Sequence, residues 1–146
     1  MNWQKVSIER LKDYKARCDA IESITEQIAT LEETFEAVRA ATLDATAVKG
    51  GGGNKREEAL INNIAMREEL KQNLEIAKRE VEITEQGLSK LTKDQRLILD
   101  KFYIDRMPGY VEDLCDRLCV ERSRVYALKD IALKKFTIHC YGVIEI

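Results

Sequence analysis

Residues 111–136 read VEDLCDRLCVERSRVYALKDIALKKF, and their spacing predicts two short helices joined by a tight turn. Val111, Leu114, Cys115 and Leu118 recur at three- and four-residue intervals, so they form one buried helix face. Val120 follows in the turn. Val125, Leu128, Ala132, Leu133 and Phe136 then make the apolar face of a second helix. Between those positions stand Arg122, Arg124, Lys129, Lys134 and Lys135, against only Glu121 and Asp130. A helix that reads DNA needs both features: a buried stripe to dock it, and basic or polar residues near its N-terminal end to meet phosphates and base edges.

The run from Val120 to Lys129, with Ala132-Leu133-Lys134-Lys135-Phe136 behind it, closely resembles the last DNA-binding helix of bacterial sigma factors, region four. Leu91-Thr92-Lys93-Asp94-Gln95-Arg96-Leu97-Ile98-Leu99 and Phe102-Tyr103 resemble the helix that precedes it in that fold. The longer layout is a charged coiled coil, a GGGGN run, a second coiled coil and then this domain. It is similar to small phage- and prophage-encoded transcription regulators of the ArpU/RinA type. The resemblance implies a sequence-specific reader of double-stranded DNA. Carried over position by position, it places Arg122 and Ser123 at base edges and Arg124 and Tyr126 on the backbone. Ala127 stands where a longer polar residue is common, so one base contact is lost or is replaced by contact with a thymine methyl. Lys129 meets a phosphate. Two positions depart from the pattern. Cys119 occupies the turn position usually held by glycine, which tolerates a left-handed backbone. Glu121 occupies the capping position, where its carboxylate can accept from first-turn amides but repels an incoming phosphate.

Charge is distributed unevenly around a net of −2. Residues 1–90 hold 14 Lys/Arg against 17 Asp/Glu, a net of −3, whereas residues 121–136 hold 5 against 2, a net of +3. The positive charge is therefore focused on the proposed recognition helix. The patch is modest, and one copy is expected to bind DNA weakly, because non-specific affinity comes from phosphate contacts. No apolar run approaches the ~20 residues needed to cross a bilayer, and Met1-Asn2-Trp3-Gln4-Lys5 carries no signal core, so a cytoplasmic protein without membrane contact is expected.

Two apolar seams organise residues 1–90. Leu11, Tyr14, Cys18 and Ile21 open the first, and Ile24, Ile28, Leu31, Phe35 and Val38 continue it in heptad steps. Leu60, Leu70, Leu74, Ala77, Val81, Leu88 and Leu91 form the second, with Asn63, Arg67 and Thr84 at other seam positions. Residues 42–54 (TLDATAVKGGGGN) interrupt them, since four consecutive glycines resist helix formation. The run lacks the strand and the G-x-x-x-x-G-K-[ST] spacing of a phosphate loop and reads as a linker, with an anion contact through Lys49, Lys55 and Arg56 as the other reading. Asn54 with Glu57 and Thr92 with Gln95 are candidate capping pairs. Gly87 marks a joint over residues 87–92. Met107-Pro108-Gly109 turns the chain. Thr137–Ile146 is apolar and β-prone.

The fold expected is all-α: a long antiparallel helical hairpin (a coiled coil) over residues 1–90 with its Gly-rich loop at 42–54, then a small C-terminal helix-turn-helix domain over 91–146 that folds alone. A second chain is expected to cover apolar surface beside the seam, including Ile61 and Ile64, and to make a homodimer. No catalytic constellation is legible. His139 is the only histidine, and the carboxylates recur at solvated coiled-coil flanks. Cys18, Cys115, Cys119 and Cys140 read as small apolar residues rather than zinc ligands with His139, so no metal or cofactor is expected. Two rival functions share this parts list: a phage DNA-packaging protein of the small terminase kind, and an interaction module that binds RNA polymerase or another protein without touching DNA.

Overall fold

The computed structural model describes residues 1–44 and 53–145. The fold is all-α. Its helices are α1 (Trp3–Asp44), α2 (Gly53–Ser89), α3 (Lys93–Leu99), α4 (Tyr110–Leu118) and α5 (Arg122–Tyr141), with a π-helical segment over Asp100–Ile104 continuing α3. The only β pairing among the described residues is an isolated antiparallel bridge between Asn2 and Glu145. No described helix is long and apolar enough to cross a membrane.

The chain packs as two compact units, Met1–Cys18 with Arg79–Ile146, and Asp19–Lys78. In the second unit, α1 and α2 lie antiparallel and pack through the seam read from the sequence. Ile28 is buried, and Leu31, Phe35, Leu60, Leu70 and Leu74 are half-buried. The polar seam residue Asn63 is satisfied twice. Its amide donates to the Leu31 carbonyl at 2.8 Å, and its Oδ1 accepts from Arg67 Nε at 2.8 Å. The Arg67 guanidinium in turn covers the Phe35 ring at 4.8 Å. A buried amide with both ends paired fixes register at little cost, whereas an unpaired one costs about 1–3 kcal/mol. Ile61 remains 65% exposed and Ile64 45%. The reading of the Gly50–Gly53 loop falls largely on residues 45–52, which lie outside the described residues. α2 begins at Gly53, one residue before the Asn54 offered as its cap.

In the first unit the packing cuts the chain differently from a division at residue 90. One apolar cluster joins Leu11 of α1 and Leu88 of α2 to Leu99, Ala132, Leu133 and Phe136. The other holds Ile98, Phe102, Val111, Leu114 and Val125. The C-terminal helices therefore share their core with both ends of the hairpin, and residues 91–146 on their own would expose Leu133 and Phe136. The reason lies at Gly87. A Cβ there would come within 2.6 Å of Cys140 Sγ and 2.8 Å of Phe136 Cε2. Gly87 is thus a point of close helix approach within α2 rather than a joint, and the chain turns after it, over residues 90–92. There the Thr92–Gln95 capping box forms as read. Thr92 N donates to Gln95 Oε1 at 3.0 Å, and Gln95 N donates to Thr92 Oγ1 at 3.2 Å.

The β-prone tail is a second departure. α5 runs on to Tyr141, and Thr137 is fully buried in it, its hydroxyl donating to the Leu133 carbonyl at 2.7 Å. Burying Phe136 with Leu11 of α1 and Leu88 of α2, and Thr137 in the next position, outweighs the weak local β preference of Thr137 and Ile138. Gly142, at φ 81°, ends the helix. Ile144 then returns to the chain start, where its carbonyl accepts from Trp3 N at 3.0 Å.

Candidate nucleic-acid interface

α4 and α5 are held by the residues whose spacing predicts them. Leu114 and Val125 are fully buried, Val111 and Leu133 nearly so, and Cys115, Leu118 and Leu128 half-buried. The turn between the helices takes the left-handed backbone that its glycine-like position requires, but with a cysteine. Cys119 has φ 55° and ψ 46°. Its amide donates to the Cys115 carbonyl, and Val120 N donates to the same oxygen at 3.2 Å. This is the αL arrangement that closes a helix end. Glu121 caps α5 with its backbone only, at φ −75° and ψ 160°, and its carboxylate makes no capping bond. The capping role open to that side chain is therefore unfilled.

The six residues singled out in the sequence stand on the first two turns of α5. Arg122, Ser123, Arg124, Tyr126 and Ala127 are exposed and Lys129 is half-buried. At 3.6 residues per turn, Ser123 and Ala127 point directly away from the buried stripe. Arg122, Tyr126 and Lys129 lie along one flank, and Arg124 on the other. The flank is braced. The Tyr126 ring meets Phe102 edge-on at 5.7 Å, and Phe102 meets Tyr110 edge-on at 5.0 Å. Lys129 Nζ lies 5.8 Å from the Phe102 ring centre and 2.7 Å from Asp130 Oδ1.

Arg122 is engaged as well. Its NH1 group donates to Glu112 Oε1 of α4 at 2.7 Å. The Tyr126 hydroxyl, and then the Glu112 carboxylate, push its pKa above the ordinary arginine value. Neither Arg124 nor Lys134 has an ion-pair partner among the described residues. Lys135 Nζ donates to Gln95 Oε1 at 3.4 Å. The surface of α5 is thus positive at its start, interrupted by Asp130, and flanked by the carboxylate of Glu112.

Glu112 and Phe102 are the parts of this surface that the spacing of α5 does not disclose. Glu112 lies ten residues before Arg122, beyond any i,i+4 relation, so only the packing of α4 on α5 brings them together. Phe102 belongs to the π-helical segment and is itself buried, with its ring against those of Tyr110 and Tyr126.

Elsewhere, chemistry-bearing groups are scattered. Burial pushes the Cys140 thiol up to about 11. Among the described residues, no three His, Cys, Asp or Glu side chains are grouped to hold a metal ion.

The structure defines an all-α protein with a helical hairpin and a helix-turn-helix. A family model described as "Protein of unknown function (DUF1492)" matches residues 37–137, more than two thirds of the chain, and the chain belongs to that family. No curated protein and no solved structure matches it.

Proposed function

We propose that the protein is a non-enzymatic, sequence-specific DNA-binding transcription regulator of the cytoplasm, of the phage or prophage type that the layout of the whole chain resembles, with α4–α5 residues like those of sigma factor region four. The observation that carries this reading is the start of α5. Four consecutive residues, Glu121 to Arg124, are exposed there ahead of a fully buried Val125. Such a helix is docked by one face while its N-terminal turn remains available to a groove. Arg122 and Ser123 read base edges, Arg124 and Tyr126 contact the backbone, Ala127 meets a thymine methyl, and Lys129 reaches a phosphate by leaving Asp130.

The net +3 of residues 121–136 is small for a single reader. A homodimer, formed where Ile61 and Ile64 are exposed, would present two such helices to one duplex and double the phosphate contacts. RNA polymerase is a further partner of the regulator.

The test is selection of duplexes from a randomised pool by the full-length chain at fixed salt. Enrichment of one motif, in two-fold arrangement if the dimer forms, supports the reading. Recovery of no motif overturns it. The rival of a protein-interaction module draws on Glu112, Glu121 and Asp130, whose carboxylates lie on or beside the same surface and oppose phosphates.

A further inference from the structure

We propose that Glu112 is a positioning residue for base recognition: from α4 it holds the Arg122 guanidinium of α5 in the conformation that reads DNA. The proposal rests on the DNA-binding reading above and assigns the specificity of that site to a side chain outside the recognition helix. Both members of the pair are exposed, each side chain at 64%, yet NH1 and Oε1 stand 2.7 Å apart. Their backbones are held by the buried contacts of Leu114 and Val125. Tyr126, one turn further along α5, stands beside the same guanidinium, and its ring is held against Phe102.

Two features make stability a poor explanation for this pair. Exposed ion pairs contribute little to folding, because solvent screens them and ordering two long side chains costs entropy. By contrast, Arg117 pairs with Asp113 within one helix, and Lys101 reaches the same Asp113 at 3.8 Å. Glu112 instead reaches across to the first residue of the recognition helix. An arginine presents five N–H donors in a rigid planar fork. A single carboxylate anchor on NH1 leaves donors free for a bidentate contact with guanine O6 and N7. Restraining the side chain beforehand lowers the ordering cost at binding. Arg124, which has no such brace, is the contrasting case: it supplies charge without direction.

The carboxylate also carries a cost in affinity, since it sits beside incoming phosphates. Glu112 therefore trades affinity for discrimination, and its removal should move the two in opposite directions. A merely structural residue would lower both.

The experiment measures binding of the full-length chain to the duplex selected above and to a scrambled duplex, across a salt series. In Glu112→Ala, the preference for the selected duplex should fall roughly three- to tenfold, while affinity for the scrambled duplex holds or rises. Glu112→Gln keeps an acceptor oxygen without the charge. It should retain more of the preference and show the same gain on scrambled DNA. In an Arg122→Ala background, Glu112→Ala should leave the preference unchanged. An unaltered preference in Glu112→Ala, or an equal loss with and without Arg122, overturns the proposal while leaving the DNA-binding reading intact. A parent that prefers no duplex overturns both. Circular dichroism melts of each variant separate loss of fold from loss of preference.

Discussion

Arg10 Nε donates to the Tyr141 hydroxyl at 2.6 Å, joining the start of the chain to the last turn of α5. The same guanidinium donates to the Glu80 carbonyl at 3.0 Å and pairs with the Glu80 carboxylate at 2.6 Å. Trp3 stacks on Tyr141 at 4.8 Å. One arginine thus ties α1, α2 and α5 together at the end of α5 remote from its basic turn. Its side chain is only 10% exposed, so it must be paired to be there. Arg10→Ala should cost about 1.5–3 kcal/mol, the value of hydrogen bonds to charged groups, with Glu80 still facing Arg17 NH1 at 3.9 Å. Tyr141→Phe should cost about 1 kcal/mol. Urea denaturation followed by circular dichroism checks both, and equal midpoints for Arg10→Ala and the parent would refute the clamp.

Gly87→Ala should destabilise the protein despite improving helix propensity. The propensity gain is about 1 kcal/mol, while the overpacking cost is about 1–3 kcal/mol. Cost wins here because the new Cβ meets both Cys140 Sγ and the Phe136 ring below van der Waals distance. Adding Cys140→Ala should recover part of the loss. Thermal melts of the single and double variants measure this.

Cys119→Gly should stabilise it. A left-handed non-glycine residue carries about 1–2 kcal/mol of strain, and glycine, while relieving it, costs about 0.4–1 kcal/mol through its larger unfolded-state entropy. The side chain is exposed, and its one polar contact, the Sγ donor to the Asp116 carbonyl at 3.7 Å, is long. A rise in the denaturation midpoint equivalent to about 0.5–1 kcal/mol is the expected result.

The two cysteines should also differ in chemistry. Cys140 is held neutral by burial, its pKa pushed up to about 11, whereas Cys119 is open to solvent. Only thiolate reacts with an alkylating agent. At pH 8 iodoacetamide should label Cys119 and spare Cys140 in the folded protein. A raised folded pKa favours the fold while the thiol is neutral. That contribution is present below the ordinary thiol range and is lost as the pH climbs through about 11. Mass spectrometry of labelled peptides at pH 8 reads out the first claim directly.

Much of this fold is legible in local pattern. Val111, Leu114, Val125 and Phe136 repeat at helical spacing and are buried where the spacing puts them. Thr92 and Gln95 are three apart, and each bonds the other's backbone. What local pattern misses depends on distant partners. Gly87 looks like a break until Phe136 and Cys140 are seen against it. Thr137 and Ile138 favour strands until α5 is extended by packing on α1. Arg10 carries no local signal of its clamp, because its partner Tyr141 comes from the other end of the chain. At the candidate site, Arg122, Ser123, Arg124, Tyr126, Ala127 and Lys129 are implied by the resemblance to sigma factor region four, whereas Glu112 is found only once α4 lies against α5.

The central claim is that the first turn of α5 reads DNA, and the direct measurement compares the parent, Arg122→Ala and Arg124→Ala on selected and scrambled duplexes at several salt concentrations. Arg122→Ala should lose about 1–3 kcal/mol of preference for the selected duplex. Arg124→Ala should weaken binding to both duplexes evenly and reduce the salt slope by about one phosphate contact. Both variants should melt like the parent, since their side chains are exposed. Two variants that bind and discriminate as the parent does would contradict the account.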